Sequence, residues 1–226
     1  AFKVEIPDRV PFVLPVDAWP AYLAGTDLIT VINDYDKARQ AWREFYNNFE
    51  MDIAVSPGMA LPAKVYSLLD YKLYSWPGHG LPTSASSIQF VEGEYMKEDE
   101  YNLLIHDPSE FWMRTYIPRV FGAFESWKYL NPFTNIIEIP AAWFMPYTRP
   151  DLQAAAQRLI DIGKELTVWS KMTGEFDQWA QESGYPLRRM VLCKAPFDTI
   201  GDTLRGTKGI ITDMFRRPEQ LLEAID

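Results

Sequence analysis

The apolar positions of the chain fall into short continuous runs and longer helical stripes. Val10-Pro11-Phe12-Val13-Leu14-Pro15-Val16 is a run of the first kind, closed by Asp17. Its length and composition predict a strand buried on both faces of a parallel sheet. From Asp34 to Phe49 the pattern changes. Ala38, Ala41, Trp42, Phe45 and Phe49 recur at three- and four-residue spacing, which predicts a helix with Asp34 as N-cap. Met51 to Pro57 is a second short strand, broken by Pro57-Gly58. Strand, helix and strand at this spacing make a βαβ unit, so the expected class is α/β.

The rest of the chain continues in the same mixture. A helix is expected over Pro62–Leu73. Trp76-Pro77-Gly78-His79-Gly80-Leu81-Pro82 holds two glycines and two prolines, which predicts a loop. Ser87 to Glu92 alternates weakly, as a strand would. Asp107-Pro108-Ser109-Glu110 reads as a helix start, with Asp107 as N-cap and Pro108 at the first helical position. The longest helix begins at the capping signal Thr148-Arg149-Pro150-Asp151. Leu152, Ala155, Leu159, Ile162, Leu166 and Trp169 form its apolar stripe, and Ser183-Gly184 closes it after Glu182. A strand is expected over Leu187–Lys194, and two helices over Ile210–Arg216 and Pro218–Ile225.

Composition narrows the functional classes. A length of 226 residues suits one domain with a sizeable core. The formal net charge of -9 argues against general nucleic-acid binding, which needs clustered cations. It argues more weakly against a strongly anionic substrate. No apolar run approaches the length of a membrane span, and the first residues show no signal-peptide pattern. The single cysteine, Cys193, fits a reducing cytoplasm and is expected to pack inside an apolar strand. The chain begins without Met and stops at Ile225-Asp226 inside a helical pattern, so a fragment of a longer protein is expected. With 13 Phe, 8 Trp and 12 Tyr, the chain has aromatic side chains for a planar-ligand pocket, although aromatic cores are commoner.

The segment Cys193-Lys194-Ala195-Pro196-Phe197-Asp198-Thr199-Ile200-Gly201-Asp202-Thr203-Leu204-Arg205-Gly206 resembles a signature of the uroporphyrinogen decarboxylase superfamily. There a strand ends in Gly-Ala-Pro-aromatic, and a loop and helix lead to a Gly. Arg216-Arg217-Pro218 before an apolar helix is similar to the next helix junction of that family. Pro7-Asp8-Arg9-Val10-Pro11 is similar to the family's approach to its first strand. The resemblance implies a (β/α)8 TIM-barrel type of fold, with the site at the carboxyl ends of the strands. It implies that about the first half of that barrel is present, as a single domain over residues 1–226. A partner chain or further segment would then complete the barrel.

The departures from the family point away from the decarboxylase itself. Its paired arginines after the first strand are absent from Val16-Asp17-Ala18-Trp19-Pro20-Ala21-Tyr22-Leu23. Its catalytic aspartate, after the second strand, has no counterpart in Val55-Ser56-Pro57-Gly58-Met59, and its active-site tyrosine aligns with Asp202. The superfamily also contains cobalamin-dependent methyltransferases, which move a methyl group between a small methylated or methoxylated compound, a corrinoid protein and an acceptor. Resemblance to that branch implies a corrinoid on a partner protein and zinc in the other half of the barrel. His79, His106 and Cys193 lack zinc-ligand spacing, so no metal site is expected within this chain. Uroporphyrinogen decarboxylation and a non-catalytic scaffold are the alternatives.

The candidate catalytic residues are Asp17, His79, Asp198 and Asp202. Asp17 and Asp198 follow expected strands, where a carboxylate serves as a base or simply caps the next turn. His79 offers an imidazole in a stiff loop, or is a surface histidine. Asp202 is expected either to point at a neutral or cationic ligand or to pair with Arg205, three residues on, if that stretch is helical. Trp76, Glu94, Tyr95, Phe197 and Arg205 are the candidate substrate-binding residues. His106 is expected to end a helix.

Overall fold

Helix-start chemistry accounts for much of the observed secondary structure. The computed structural model describes residues 6, 8–14, 16–59, 62–186 and 193–226. The chain divides into two compact units. Unit one comprises Ala1–Tyr66, Trp76–Ile88 and Gly163–Val191, and unit two comprises Ser67–Ser75, Gln89–Ile162 and Leu192–Asp226. Helices dominate both, and three short strands make the class mixed α/β.

Unit one is built around α1 (Trp19–Leu23), α2 (Leu28–Asn33) and α3 (Tyr35–Asn48), followed by the first half of α4 (Ala63–Leu69), whose residues from Ser67 onward belong to unit two. Asp27 and Asp34 cap α2 and α3 by accepting hydrogen bonds from the backbone N–H groups of Thr30 and Lys37. These caps satisfy donors that have no partner within the helix. Ala38, Ala41, Trp42 and Phe45 turn inward, as the spacing predicts, and the Tyr46 ring of the same helix meets Phe176, from the later part of α10 (Pro150–Glu182), at 6.0 Å. Glycine in the left-handed region at Gly184 follows the end of α10, as expected for a helix stop.

The strand expectations are corrected. Residues 10–14 and 51–56 carry no strand among the described residues. Pro11 has no N–H to offer a ladder. The Asp52 carboxylate accepts the Phe12 N–H at 2.6 Å, and the Asp52 N–H donates to the Phe12 carbonyl at 3.1 Å. The Val55 N–H donates to the Tyr46 hydroxyl at 2.7 Å. One backbone bond and two side-chain acceptors thus serve these runs, and Ala54 makes a single β-bridge. The third expected strand lies at 187–192 outside the described residues, and Cys193 and Lys194 are irregular. Cys193 is exposed, not a packing residue.

The expected loop at 76–82 instead contains strand pairing. β1 (Tyr74–Pro77) pairs in parallel with β2 (Gly80–Leu81) in unit one, in the register Trp76↔Gly80. Gly78 and Gly80, at φ of 81° and 77°, permit the turn. In unit two β1 pairs antiparallel with β3 (Gln89–Phe90), inside the weak alternation at 87–92.

Unit two contains α5 (Tyr101–His106), α6 (Pro108–Glu110), a π-helical turn over Phe111–Tyr116 and α7 (Ile117–Val120). His106 does end α5, and Asp107 caps α6 through the Glu110 N–H. After α8 (Asn135–Glu138) and α9 (Pro140–Trp143) comes the start of α10. Of the expected stripe, Leu152, Ala155 and Ile162 are buried, but Leu159 and Leu166 are exposed. The chain ends in α11 (Pro196–Asp198), a π-helical segment over Thr199–Arg205, α12 (Gly206–Arg216) and α13 (Pro218–Ile225). Met96, Tyr101, Phe111, Val120, Ile200, Leu204 and Leu221 form the core. Phe111 is fully buried there, so Phe111→Ala is expected to cost roughly 3–5 kcal/mol, read as a lowered urea midpoint.

Candidate functional site

The signature segment leads into the most polar part of the unit-two core. Arg205, 4% exposed, ends the π-helical stretch, and Gly206 at φ 69° turns the chain into α12. Arg205 Nε donates to Asp213 Oδ2 at 2.6 Å. Its Nη1 donates to Glu94 Oε1 at 2.5 Å and to the Met96 carbonyl at 2.6 Å. The Tyr101 hydroxyl donates to Asp213 Oδ2 at 2.9 Å, and Arg217 Nη1 donates to Asp213 Oδ1 at 3.1 Å. Arg217 also pairs with Glu98 at 2.8 Å. Gly209 leaves room for this arrangement, because a Cβ there would stand 3.1 Å from Arg205 Cβ and 3.3 Å from its guanidinium carbon.

The electrostatics follow from these contacts. Burial pushes the Asp213 carboxyl up, but the bonds from Arg205 and Tyr101 outweigh it and hold the carboxyl below its ordinary value. Burial likewise opposes the charge on Arg205, and Asp213 and Glu94 more than restore it. Burial, reinforced by Asp213, pushes the Tyr101 hydroxyl up.

Arg205, expected to bind substrate, has its guanidinium buried and engaged by protein acceptors. The expected Asp202–Arg205 pair is corrected. Asp202 accepts from Lys194 and from the Thr203 hydroxyl, at 3.1 Å for the latter. The π-helical turn is wider than an α-turn, so a three-residue spacing does not align the two side chains.

Other candidates divide between the units. In unit two, Glu94 joins Arg205 and lies 3.4 Å from Lys97. Tyr95 donates its N–H to the Leu204 carbonyl at 2.7 Å, and its ring meets Tyr116 edge-on at 6.4 Å. Burial pushes the Tyr116 hydroxyl up, with added repulsion from Tyr95 and Asp202. Asp198 and Phe197 are exposed on α11. In unit one, Asp17 is exposed at φ 42° in the turn before α1. Trp76 is buried and the His79 ring stacks on it at 4.0 Å, so this indole face is already covered.

Among the described residues no group of three or more His, Cys, Asp or Glu side chains is arranged to hold a metal ion. No protein family, curated protein or solved structure matches the chain.

Sequence reasoning missed Asp213 and Tyr101. Asp213 stands three residues after Ile210 and four before Arg217 on α12, a spacing that marks it as inward-facing. Removing its carboxylate, in Asp213→Ala, leaves Arg205 buried without its partner and is expected to cost roughly 3–5 kcal/mol. The double variant Arg205→Met/Asp213→Leu is expected to lose less than the single one in chemical denaturation.

The pH dependence has a defined sign. A carboxyl whose folded pKa is depressed stabilises the fold above its unfolded value, and that stability is lost as pH falls through the folded value. Melting temperatures are therefore expected to drop below about pH 4. The drop is expected to be shallower in the double variant than in the wild type.

Proposed function

We propose that this chain is a uroporphyrinogen decarboxylase-superfamily protein acting in corrinoid-dependent methyl transfer from a small methylated or methoxylated compound. On this reading its α/β elements belong to a partial (β/α)8 barrel in the cytoplasm. A corrinoid protein is the partner, and the zinc ligands lie outside this sequence. The corrinoid supplies the methyl-accepting metal. Helix starts with proline in the first turn at Pro196 and Pro218 support the family reading, because the signature changes from loop to helix at these places.

The reading is supported over decarboxylation by the engagement of four arginines among the described residues. Arg9, Arg119, Arg205 and Arg217 all pair with protein carboxylates. A polyacidic tetrapyrrole needs unengaged arginines to receive its carboxylates. Asp202 stands where the family has tyrosine, and its carboxylate is paired with Lys194 rather than held ready for a substrate.

A second reading, a non-catalytic partner, is favoured by the occupation of Arg205, Glu94, Asp202 and Trp76 by neighbouring protein groups. The test is to incubate the protein with a reduced corrinoid and methanol, methylamine or a methoxylated phenol, and to follow methylated corrinoid by absorbance. Coproporphyrinogen formation from uroporphyrinogen is assayed in parallel. Methylated corrinoid without coproporphyrinogen is expected. Coproporphyrinogen formation would overturn the reading, and inactivity in both assays would favour the scaffold.

A further inference from the structure

Unit two carries a groove of about 520 Å3 bordered by α4, the segment from Gly122 to Tyr129 and the start of α10. That volume lies within the range of small-molecule sites. Most charges on its wall are already paired. Lys128 holds Glu125 at 2.9 Å, and Arg149 holds Asp151 at 2.8 Å. Two are not. Among the described residues neither the Asp70 carboxylate nor the Arg158 guanidinium has a hydrogen bond or ion pair, and they do not reach each other.

Asp70 is also held in place. Its backbone is left-handed at φ 49°, and its carbonyl accepts the Gly122 N–H at 3.0 Å. Next along the chain, Lys72 N–H donates to the Val120 carbonyl at 3.0 Å. The carboxylate lies directly over Gly122, where any Cβ would overlap it. The backbone is thus set while the Asp70 side chain is exposed, which leaves its carboxylate open to a cation that arrives from solution.

We propose that this groove binds a small zwitterion, with a primary ammonium on Asp70 and a carboxylate on Arg158. One unpaired charge of each sign calls for a ligand carrying both. The ammonium is primary rather than methylated, because a methylated one needs an open aromatic face. The ring of Tyr129 is already faced by Arg149 at 4.0 Å and Lys128 at 5.2 Å. Gly122, Ala123, Ala154 and Ala155 leave space for the body of the ligand. This site stands apart from the methyl-transfer reading.

The test is calorimetric titration of the full chain with glycine, 4-aminobutyrate and 6-aminohexanoate. Butylamine, butyrate and glycine betaine serve as comparisons. At least one primary zwitterion is expected to bind about tenfold tighter than each comparison. The best chain length tells an α-amino acid from an ω-amino acid. Asp70→Asn and Arg158→Gln are each expected to weaken that binding by about tenfold without changing the melting temperature. Asparagine tolerates the left-handed backbone, so the first variant keeps its fold. Equal binding of butylamine or of butyrate would overturn the proposal, as would unchanged affinity in both variants. Absence of any zwitterion binding up to about 10 mM would show two solvated surface charges instead.

Discussion

A guanidinium and a carboxylate withdrawn from water together lose several kcal/mol of hydration each, and only a full set of partners restores it. Arg205 and Asp213 meet that condition by recruiting Tyr101, Glu94, Arg217 and the Met96 carbonyl. The pair therefore draws together three separate stretches of unit two: residues 94–101, the π-helical segment and α12. Two glycines serve it, one by adopting a left-handed turn and one by leaving out a Cβ. The arrangement gives this core a specific register, because displacing any partner leaves a buried charge unmet.

A second theme is the use of side chains where a sheet would use strands. Buried or half-buried backbone N–H groups require acceptors, whatever supplies them. Asp52 does this for Phe12, and Tyr46 does it for Val55. Two apolar runs with the composition of strands accordingly form no strand among the described residues, and Ala54 makes only a single β-bridge. A strand needs a neighbour as well as a favourable sequence, and here the nearest acceptors are a carboxylate and a phenol.

The residues that look most chemical in the linear chain are thus largely committed to the fold. His79 covers Trp76, Lys194 covers Asp202, and Arg205 is internal. Of the charged groups that line the unit-two groove, Asp70 and Arg158 are without partners among the described residues; they carry no motif and lie far apart in sequence. Their relation is visible only because α4 and α10 border the same groove.

What the sequence determined by itself was local. Asp34, Asp107, Pro108, Pro150 and Gly184 mark helix boundaries because capping and backbone freedom depend on a few adjacent residues. The inward face of α3 was legible because its period matches the helix. Tertiary structure decided everything that required a distant partner. It left residues 10–14 without a strand neighbour, joined Trp76 to Gly80 across a two-glycine turn, and exposed Leu159 and Leu166 where periodicity placed a core. It also set Arg205 against Asp213 rather than Asp202, since a π-helical turn changes which side chains share a face. Spacing along a chain specifies neighbours within an element, whereas ion pairs and sheet pairing depend on which elements meet.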